Sequence, residues 1–246
     1  MSVRLERMLE AIDALCLPPG ARVFEGGCGP GHLCSALTAR GFEVWAMDTS
    51  RPMLERTLRR GDPPSAGGRL HASLGSLERC PFADESFDLV CSAGVIEYLA
   101  EDAPALAELR RVLRPEGHLL LTVTNRWSPM LAGDFAVEFL KRRPRLVALF
   151  NAGWTRLGRT AVRPRPFRVR RHRPARLRSQ LAEAGLDVVD ARFFHFVPWP
   201  HPLPLLAPAL SDPLGERMER WGGSRLGFMA DGYLVVARRR TEPRGR

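Results

Sequence analysis

Three glycines and two carboxylates near the start of the chain have the spacing of a nucleoside-binding site. Glu25 opens a glycine loop in which Gly27, Gly29 and Gly31 alternate with other residues, between an apolar run and a helical pattern. Glycines allow turns that are closed to other residues and let a ligand lie against the main chain, and a helix amino terminus offers unpaired N–H groups. Asp48 ends a second apolar run seventeen residues after Gly31, where a carboxylate can accept hydrogen bonds from both hydroxyls of a ribose. These residues therefore predict a site for a nucleoside cofactor.

The spacing of the glycines disfavours a dinucleotide. A dinucleotide fingerprint reads G-x-G-x-x-G, with the pyrophosphate on the helix amino terminus. Counted from Gly27 or from Gly29, the sixth position holds His32 or Cys34, so the third glycine is absent. Glu25 would repel a pyrophosphate, whereas it suits the ammonium group of a cofactor that carries an amino acid. A nicotinamide oxidoreductase and a loop that only makes a tight strand-to-helix turn remain the alternatives.

The Glu-x-Gly-x-Gly-x-Gly loop resembles that of class I S-adenosylmethionine (SAM)-dependent methyltransferases, and further motifs follow in that family's order. Segments 81–92, 95–99 and 107–121 resemble its fourth strand, the helix start after it, and its helix, Pro-x-Gly turn and fifth strand. The resemblance is greatest to the branch that methylates small molecules, quinones and lipids. It implies SAM as cofactor and an α/β fold with a Rossmann-like, doubly wound, seven-stranded sheet. That sheet would be mostly parallel with an antiparallel last strand, and a helical or irregular lid insertion would be added to it.

The resemblance also implies the role of each site residue. Glu25, Gly27, Gly29 and Gly31 would hold the methionine end, Asp48 the ribose, Thr49 and Met53 the adenosine, Ser76 and Leu77 the adenine, and Ser92 the methionine moiety. Two positions depart from the family pattern. Ser76 stands where an Asp often binds the adenine amino group, and Tyr98 stands where many relatives have His.

Alternating strand and helix patterns predict a parallel sheet with helices on both faces. We expect strands near 22–26, 43–48, 69–73, 87–92, 118–124, 187–194 and 231–238, and helices at 3–15, 32–39, 51–59, 103–113 and 174–184. The last two strands would form an antiparallel edge pair. The expected parts are an amino-terminal helix (1–19), a cofactor-binding core (20–125), a basic insertion (126–172), a second core part (173–238) with an apolar loop (195–230), and a tail (239–246).

The composition excludes several classes of protein. The chain has 246 residues, without a run of eighteen apolar residues that could span a membrane and without the apolar core of a signal peptide at its start. Its five cysteines form no C-x-x-C pair and have no histidine-rich partner group, which predicts buried thiols and no metal site. We therefore expect a cytoplasmic protein.

Basic residues are concentrated between residues 126 and 178. This segment has fifteen Lys and Arg residues against Asp134 and Glu138, in a chain whose net charge is +10. It could contact an anionic membrane surface or a phosphorylated lipid, contact nucleic acid, or be a solvated arginine-biased insertion. Residues 92–95 lack the Asn/Asp-Pro-Pro-aromatic motif of nucleic-acid amino-methyltransferases, which makes nucleic acid the disfavoured partner.

The apolar, proline-rich start of 195–230 is predicted to lie at the carboxyl ends of the strands, where open α/β sheets bind ligands. It would close over a hydrophobic acceptor or merely pack the edge strands, and His195 is the candidate general base. The expected activity is methyl transfer from SAM to a hydrophobic small molecule, with oxygen favoured. Methylation of a membrane-associated lipid or quinone at carbon or oxygen, and SAM binding without catalysis, remain alternatives. The sequence names neither the acceptor nor the oligomeric state.

Overall fold

Seven strands form one sheet in the part of the chain that the structure describes. This computed structural model describes residues 2–60, 67–128, 152, 169–197 and 208–240. In the last range, the side chains are described from residue 213 onward. The strands are β1 (Arg22–Gly26), β2 (Glu43–Asp48), β3 (Arg69–Leu74), β4 (Phe87–Ala93), β5 (Leu113–Thr124), β6 (Leu186–Phe194) and β7 (Gly232–Arg239).

Six α-helices accompany the strands in the described ranges. They are α1 (Val3–Asp13), α2 (His32–Thr38), α3 (Arg51–Arg60), α4 (Ala103–Val112), α5 (Pro174–Glu183) and α6 (Pro208–Met218), with short 3-10 turns at Ile96–Tyr98, Glu219–Trp221 and Arg225–Met229. None of the helices in this part of the chain is long and apolar enough to cross a lipid bilayer.

The strand order is β3-β2-β1-β4-β5-β7-β6. β1 to β5 pair in parallel, and β7 runs antiparallel to both of its neighbours. This confirms the predicted doubly wound, mostly parallel sheet with an antiparallel last strand. The first strand lies near the middle, and the chain turns outward from it in both directions, so the strand order reverses beside the glycine loop.

The expected antiparallel pair of the last two strands is confirmed at one edge of the sheet, where β7 lies between β5 and β6. Two elements differ from the sequence prediction. β5 begins at residue 113 rather than 118, because Leu113 pairs with Phe87 before a register shift brings His118 opposite Leu89. The predicted apolar loop 195–230 contains α6 and two 3-10 turns, because the apolar and proline-rich composition of the loop concealed their helical pattern.

The apolar core fills both faces of the sheet. One cluster unites β1, β4 and β5 with α4 and α5 around Phe24, Phe87 and Leu106. The other lies beneath α1, α2 and α3 and includes Ile12 and Leu37. With both faces covered, the carboxyl edge of the parallel strands is left for ligands.

Candidate functional site

The glycine loop leaves β1 in backbone conformations that favour glycine. The φ angles of Gly27, Gly29 and Gly31 are +73°, +53° and +76°, and Gly31 is the N-cap of α2. The backbone N–H groups of Gly27 and Cys28 donate to the carbonyl oxygen of Met47, at 2.7 and 3.0 Å. The loop is therefore fixed to the end of β2, beside Asp48.

The three glycines differ in how closely other atoms surround them: Gly27 and Gly31 are tightly packed, whereas Gly29 is not. A Cβ at Gly27 would lie 2.3 Å from Val95, and a Cβ at Gly31 would lie 2.8 Å from the Cα of Thr57. A Cβ at Gly29 would meet nothing within 4 Å. Gly29 thus borders open space at the carboxyl edge of the sheet, where a cofactor can lie against the main chain.

Replacing Gly29 by Ala should weaken cofactor binding more than it weakens the fold. A side chain at this left-handed position costs about 1–2 kcal/mol of folding free energy, and its methyl group would occupy the space left for the ligand. Gly20→Ala is the matched control, because Gly20 also has a positive φ of +76° and open space around it but lies before β1, at the opposite edge. Thermal unfolding and calorimetric titration with SAM should show similar destabilisation of both variants but a loss of affinity only in Gly29→Ala. Equal affinities would contradict this assignment.

Glu25 is a buried acid at the end of β1, with 3% of its surface exposed. The thiol of Cys34 in the first turn of α2 donates a hydrogen bond to its Oε2 atom at 2.7 Å. Burial raises the pKa of Glu25 to about 8, against the opposing effect of the Cys34 hydrogen bond. In the free protein at neutral pH this carboxyl group therefore holds a proton, and it can ionise when a cation such as an ammonium group reaches it.

The Asp48 carboxylate accepts hydrogen bonds from two backbone N–H groups and can accept more. Its Oδ2 atom accepts from the N–H of Gly29 at 2.9 Å, and its Oδ1 atom accepts from the N–H of Ser50 at 2.8 Å. A carboxylate offers about four acceptor positions, so two remain for the hydroxyls of a ribose. Thr49 is exposed and Met53 is half-buried in the first turn of α3, which places both beside Asp48.

Ser76 and Leu77 follow β3, on the far side of Asp48. The Ser76 hydroxyl accepts from the N–H of Glu78 at 3.3 Å. Leu77 is buried, and its Cδ2 atom lies 2.2 Å from where a Cβ at Gly26 would be. A larger residue at position 26 would therefore displace the side chain of Leu77, the residue expected beside the adenine.

Ser92 lies near the carboxyl end of β4, next to β1 in the sheet. Its buried hydroxyl has no hydrogen-bond partner among the described residues, and the same holds for Thr122 of β5. All ten residues predicted to bind the cofactor thus lie at the carboxyl ends of the adjacent strands β3, β2, β1 and β4, or in the loops and the first turn of α3 that follow them.

His195 follows β6, whose carboxyl end lies on the same edge of the sheet. Its Nδ1 atom is 4.0 Å from Oδ2 of Asp231, and Oδ1 of Asp231 accepts from Arg171 at 3.2 Å. Four strand spacings, about 19 Å, separate β1 from β6 in the strand order. His195 is therefore at the carboxyl edge of the sheet but far from the glycine loop.

The apolar loop that begins at His195 is described only in part. Phe196 is buried in a small cluster with Met218 and Ala230 and makes an edge-to-face contact with Trp221. Phe196 thus packs against the helical segment that follows it. Residues 198–207, which include Trp199 and His201 and were predicted to lie over the acceptor, are outside the described residues. Residues 129–151 and 153–168 of the basic insertion also lie outside them.

The returning stem of the insertion, residues 169–173, forms a polar cluster that the sequence did not predict. The N–H of His172 donates to the carbonyl of Thr124, and the N–H of Arg126 donates to that of His172, both at 2.9 Å. The stem therefore continues the sheet beside β5, in the place where β4 has ended.

Asp102, the residue before α4, holds this stem in place by hydrogen bonds to its side chains. It is buried and accepts from Arg170, from Nε2 of His172 at 3.2 Å and from Gln180 of α5 at 3.1 Å. Burial opposes its ionisation, but the hydrogen bonds of His172 and Arg170 outweigh burial and lower the pKa of Asp102 to about 2. The backbone N–H of Arg170 also donates to the carbonyl of Glu97, which ties the stem to the turn after β4.

Comparison with known proteins supports the cofactor half of the chain. Residues 24–121 match the family model described as a methyltransferase domain. The chain is 39% identical over 122 residues to a malonyl-[acyl-carrier protein] O-methyltransferase of Methylovorus sp. (strain MP688), covering 48% of this chain and 41% of that protein. It is 35% identical over 145 residues to a demethylmenaquinone methyltransferase of Parafrankia sp. (strain EAN1pec), covering 52% and 56%. The chain thus matches only about half of the length of these relatives.

Proteins of solved structure share the fold over nearly the whole chain. A SAM-dependent methyltransferase from Methanosarcina mazei superposes with a TM-score of 0.62 at 14% identity, covering 94% of this chain and 98% of that one. Magnesium protoporphyrin IX methyltransferase from Synechocystis PCC 6803, with bound SAH, gives a TM-score of 0.60 at 15% identity, covering 96% and 81%. At these identities the likeness establishes the fold alone.

Proposed function

We propose that residues 24–121, which match the family model of a methyltransferase domain, form a class I SAM-dependent methyltransferase domain, and that the protein transfers a methyl group from SAM to a hydrophobic small molecule, at oxygen. The observation that carries the proposal is the open space beside Gly29. This glycine follows one carboxyl group, that of Glu25, in the loop and is hydrogen-bonded to another, that of Asp48. Glu25 is buried and holds a proton, whereas Asp48 is half-buried with two occupied and two remaining acceptor positions.

These residues fit an amino-acid-bearing nucleoside. Glu25 would face its ammonium group, the Gly29 main chain would lie along its length, and Asp48 would take its ribose hydroxyls. When bound, SAM supplies a methyl group already activated by its sulfonium. The remaining task of the protein is to align the acceptor and exclude water, and such proximity and orientation can lower a barrier by roughly 7–11 kcal/mol.

Exposed aromatic side chains support a hydrophobic acceptor. Tyr98 follows β4, Trp127 follows β5, and the carbonyl of Phe228 accepts a hydrogen bond from Asn125 at the end of β5. The three side chains are 50%, 57% and 49% exposed, around the strand ends next to the cofactor loop. Aromatic surfaces of this kind bind flat apolar molecules.

The names of the relatives support two candidate classes of acceptor. One relative is named for O-methylation of a malonyl group on an acyl carrier protein and the other for methylation of demethylmenaquinone. The first name motivates our choice of oxygen. The second keeps a quinone, methylated at carbon or oxygen, as the alternative acceptor.

Incubation with methyl-labelled SAM and a panel of acceptors tests the proposal. The panel contains a demethylmenaquinone analogue, a malonyl thioester and simple phenols, and label transferred into each product is measured. Asp48→Ala is the control for cofactor dependence. The proposal fails if the folded wild type binds neither SAM nor SAH, or if it binds NADH instead.

His195 should act as the general base if the acceptor is a hydroxyl. We expect His195→Ala to lower kcat at least about tenfold without changing SAM affinity, because general acid–base catalysis typically contributes about 10²–10⁴-fold. Asp231→Asn should have a smaller effect in the same direction, because Asp231 lies 4.0 Å from the imidazole. An unchanged kcat and pH profile in His195→Ala would assign the proton transfer to another group.

Contact of the basic insertion with an anionic membrane is a separate proposal. Each Lys or Arg near such a surface adds about 1 kcal/mol, so replacing Arg142, Arg143 and Arg145 by Gln should weaken sedimentation with phosphatidylserine vesicles. SAM affinity should stay the same. Absence of wild-type binding at low salt would leave the solvated insertion as the explanation.

A further inference from the structure

One cation of the amino-terminal helix lies at the carboxyl edge of the sheet. Arg4 is in the first turn of α1, and Met8 and Ile12 follow it at intervals of four residues. Residues four apart lie on the same side of a helix, and Met8 and Ile12 are buried in the core cluster beneath α1. Arg4, which is half-buried, therefore continues the core-facing side of this helix beyond its apolar residues.

The guanidinium group of Arg4 lies against the main chain just after β4. A Cβ at Gly94 would be 2.5 Å from Nη1 of Arg4 and 3.5 Å from Oε2 of the buried Glu97. Gly94 has a φ of +66° and donates its N–H to the carbonyl of Thr122 at 2.9 Å, so β5 fixes its position. Because residue 94 has no side chain, the guanidinium group can approach the backbone there.

Gly94 is next to the glycine loop of the cofactor site. β4 pairs in parallel with β1 as far as Glu25, so the segments that follow the two strands run side by side. Val95, the residue after Gly94, lies 2.3 Å from where a Cβ at Gly27 would be. The guanidinium group of Arg4 is therefore beside the part of the site that begins at Glu25.

Arg4 differs from its neighbour on the helix in having no bonded acid. Among the residues that the structure describes, none forms a hydrogen bond or an ion pair with Arg4. Arg7, one turn later, pairs with Glu10 at 2.7 Å and lies 3.6 Å from Glu219. A cation in the first turn of a helix also opposes the helix dipole. An anion bound at Arg4 would compensate for both the missing acid and the dipole.

We infer that Arg4 binds the carboxylate of the methionine moiety of SAM, at the end of the site where Glu25 faces the ammonium group. An amino acid carries both groups on one carbon atom, so residues of opposite charge are needed close together. The guanidinium group presents a planar set of N–H donors that matches a carboxylate. The inference rests on the proposed function and adds to it a residue outside the matched segment 24–121.

The inference predicts that the protein distinguishes SAM from decarboxylated SAM, which keeps the sulfonium and ammonium groups and lacks only the carboxylate. In calorimetric titrations the wild type should bind SAM at least about tenfold more tightly than decarboxylated SAM, because hydrogen bonds between charged groups are among the strong ones. Arg4→Gln should lose this preference. Its affinity for SAM should fall, and its affinity for decarboxylated SAM should not.

Two further variants show whether the guanidinium group itself is responsible. Arg4→Lys keeps the charge but not the paired donors, so it should retain part of the preference for SAM. Arg7→Gln is the matched control, because it removes the same charge from the same helix at a residue that already has an acid partner. It should keep the full preference. Thermal unfolding of each variant measures the cost to the fold.

The outcomes separate this inference from the proposed function. Equal losses of affinity for both ligands in Arg4→Gln would assign Arg4 to the packing of α1, and an unchanged SAM affinity would show that it does not reach the cofactor. Either result refutes the inference. If Arg4→Gln does not fold, a wild type without preference for SAM over decarboxylated SAM refutes it as well. If the wild type binds neither SAM nor SAH, the proposed function itself fails first.

Discussion

SAM affinity should rise more than tenfold between about pH 6 and about pH 7.5, because binding requires ionisation of a carboxyl group that is protonated in the free protein. Burial raises the pKa of Glu25 to about 8, so below that pH each unit of acidification removes nearly tenfold of the ionised form. Calorimetric titrations at the two pH values measure the change. Repeating them in two buffers of different ionisation enthalpy should reveal a proton released on binding.

Glu25→Gln is the control for this prediction, because it keeps the size and polarity of the side chain but cannot ionise. Its SAM affinity should be weak and nearly independent of pH in this range. A wild-type affinity that is equally flat, with no proton release, would show that Glu25 does not face the ammonium group.

The same carboxyl group makes the stability of the free protein depend on pH. A group whose folded-state pKa lies above its unfolded value stabilises the fold at low pH, and that contribution is lost as pH rises through the folded pKa. The pKa of Glu25 is raised from the ordinary value of 4.5 to about 8 in the fold, so the loss occurs as the pH rises between these two values. The Tm of the free protein should therefore fall over this range, and SAM should offset the fall by pairing with the carboxylate.

Asp48→Ala should reduce SAM affinity by about ten- to a hundred-fold, because hydrogen bonds to a charged group are worth roughly 1.5–3 kcal/mol. The substitution removes the acceptor for the ribose and the two bonds that hold the N–H groups of Gly29 and Ser50. Calorimetry with SAM and SAH measures the loss in affinity, and thermal unfolding measures the cost to the fold.

Two further variants separate ribose binding from loop support. Asp48→Asn keeps one acceptor oxygen and should bind with intermediate affinity. Thr49→Ala changes an exposed neighbour and should leave the fold unchanged. Unaltered SAM affinity in a folded Asp48→Ala protein would remove Asp48 from the cofactor site.

Local sequence patterns were sufficient to predict the cofactor half. The glycine loop, the acid at the end of β1 and the acid at the end of β2 are separated by few residues, and the strand and helix between them have clear periodicity. Parallel pairing of β1 with β2 then brings their carboxyl ends together. The contact between Gly29 and Asp48, whose carboxylate accepts from the Gly29 N–H, follows from this local order.

The contacts of the insertion stem (169–173) and the position of β7 could not be predicted in the same way, because they join distant parts of the chain. Asp102 and His172 are seventy residues apart, and neither has neighbours that form a recognisable motif. Asp102 stands at the N-cap of α4, but its side chain makes no capping hydrogen bond and is used by the insertion stem. The position of β7 between β5 and β6 likewise depends on pairing that no local pattern specifies.

The pairing of Arg126 with His172 also bears on how far the length of the segment between them can vary. The N–H of His172 donates to the carbonyl of Thr124 and the N–H of Arg126 donates to that of His172, so the two ends of this segment are hydrogen-bonded together. Closing a loop whose ends are already joined costs little more free energy when the loop is longer, about 0.6 kcal/mol for each doubling of its length. We therefore expect residues 129–168 to tolerate replacement by a segment of another length, while the paired ends keep the cofactor half unchanged.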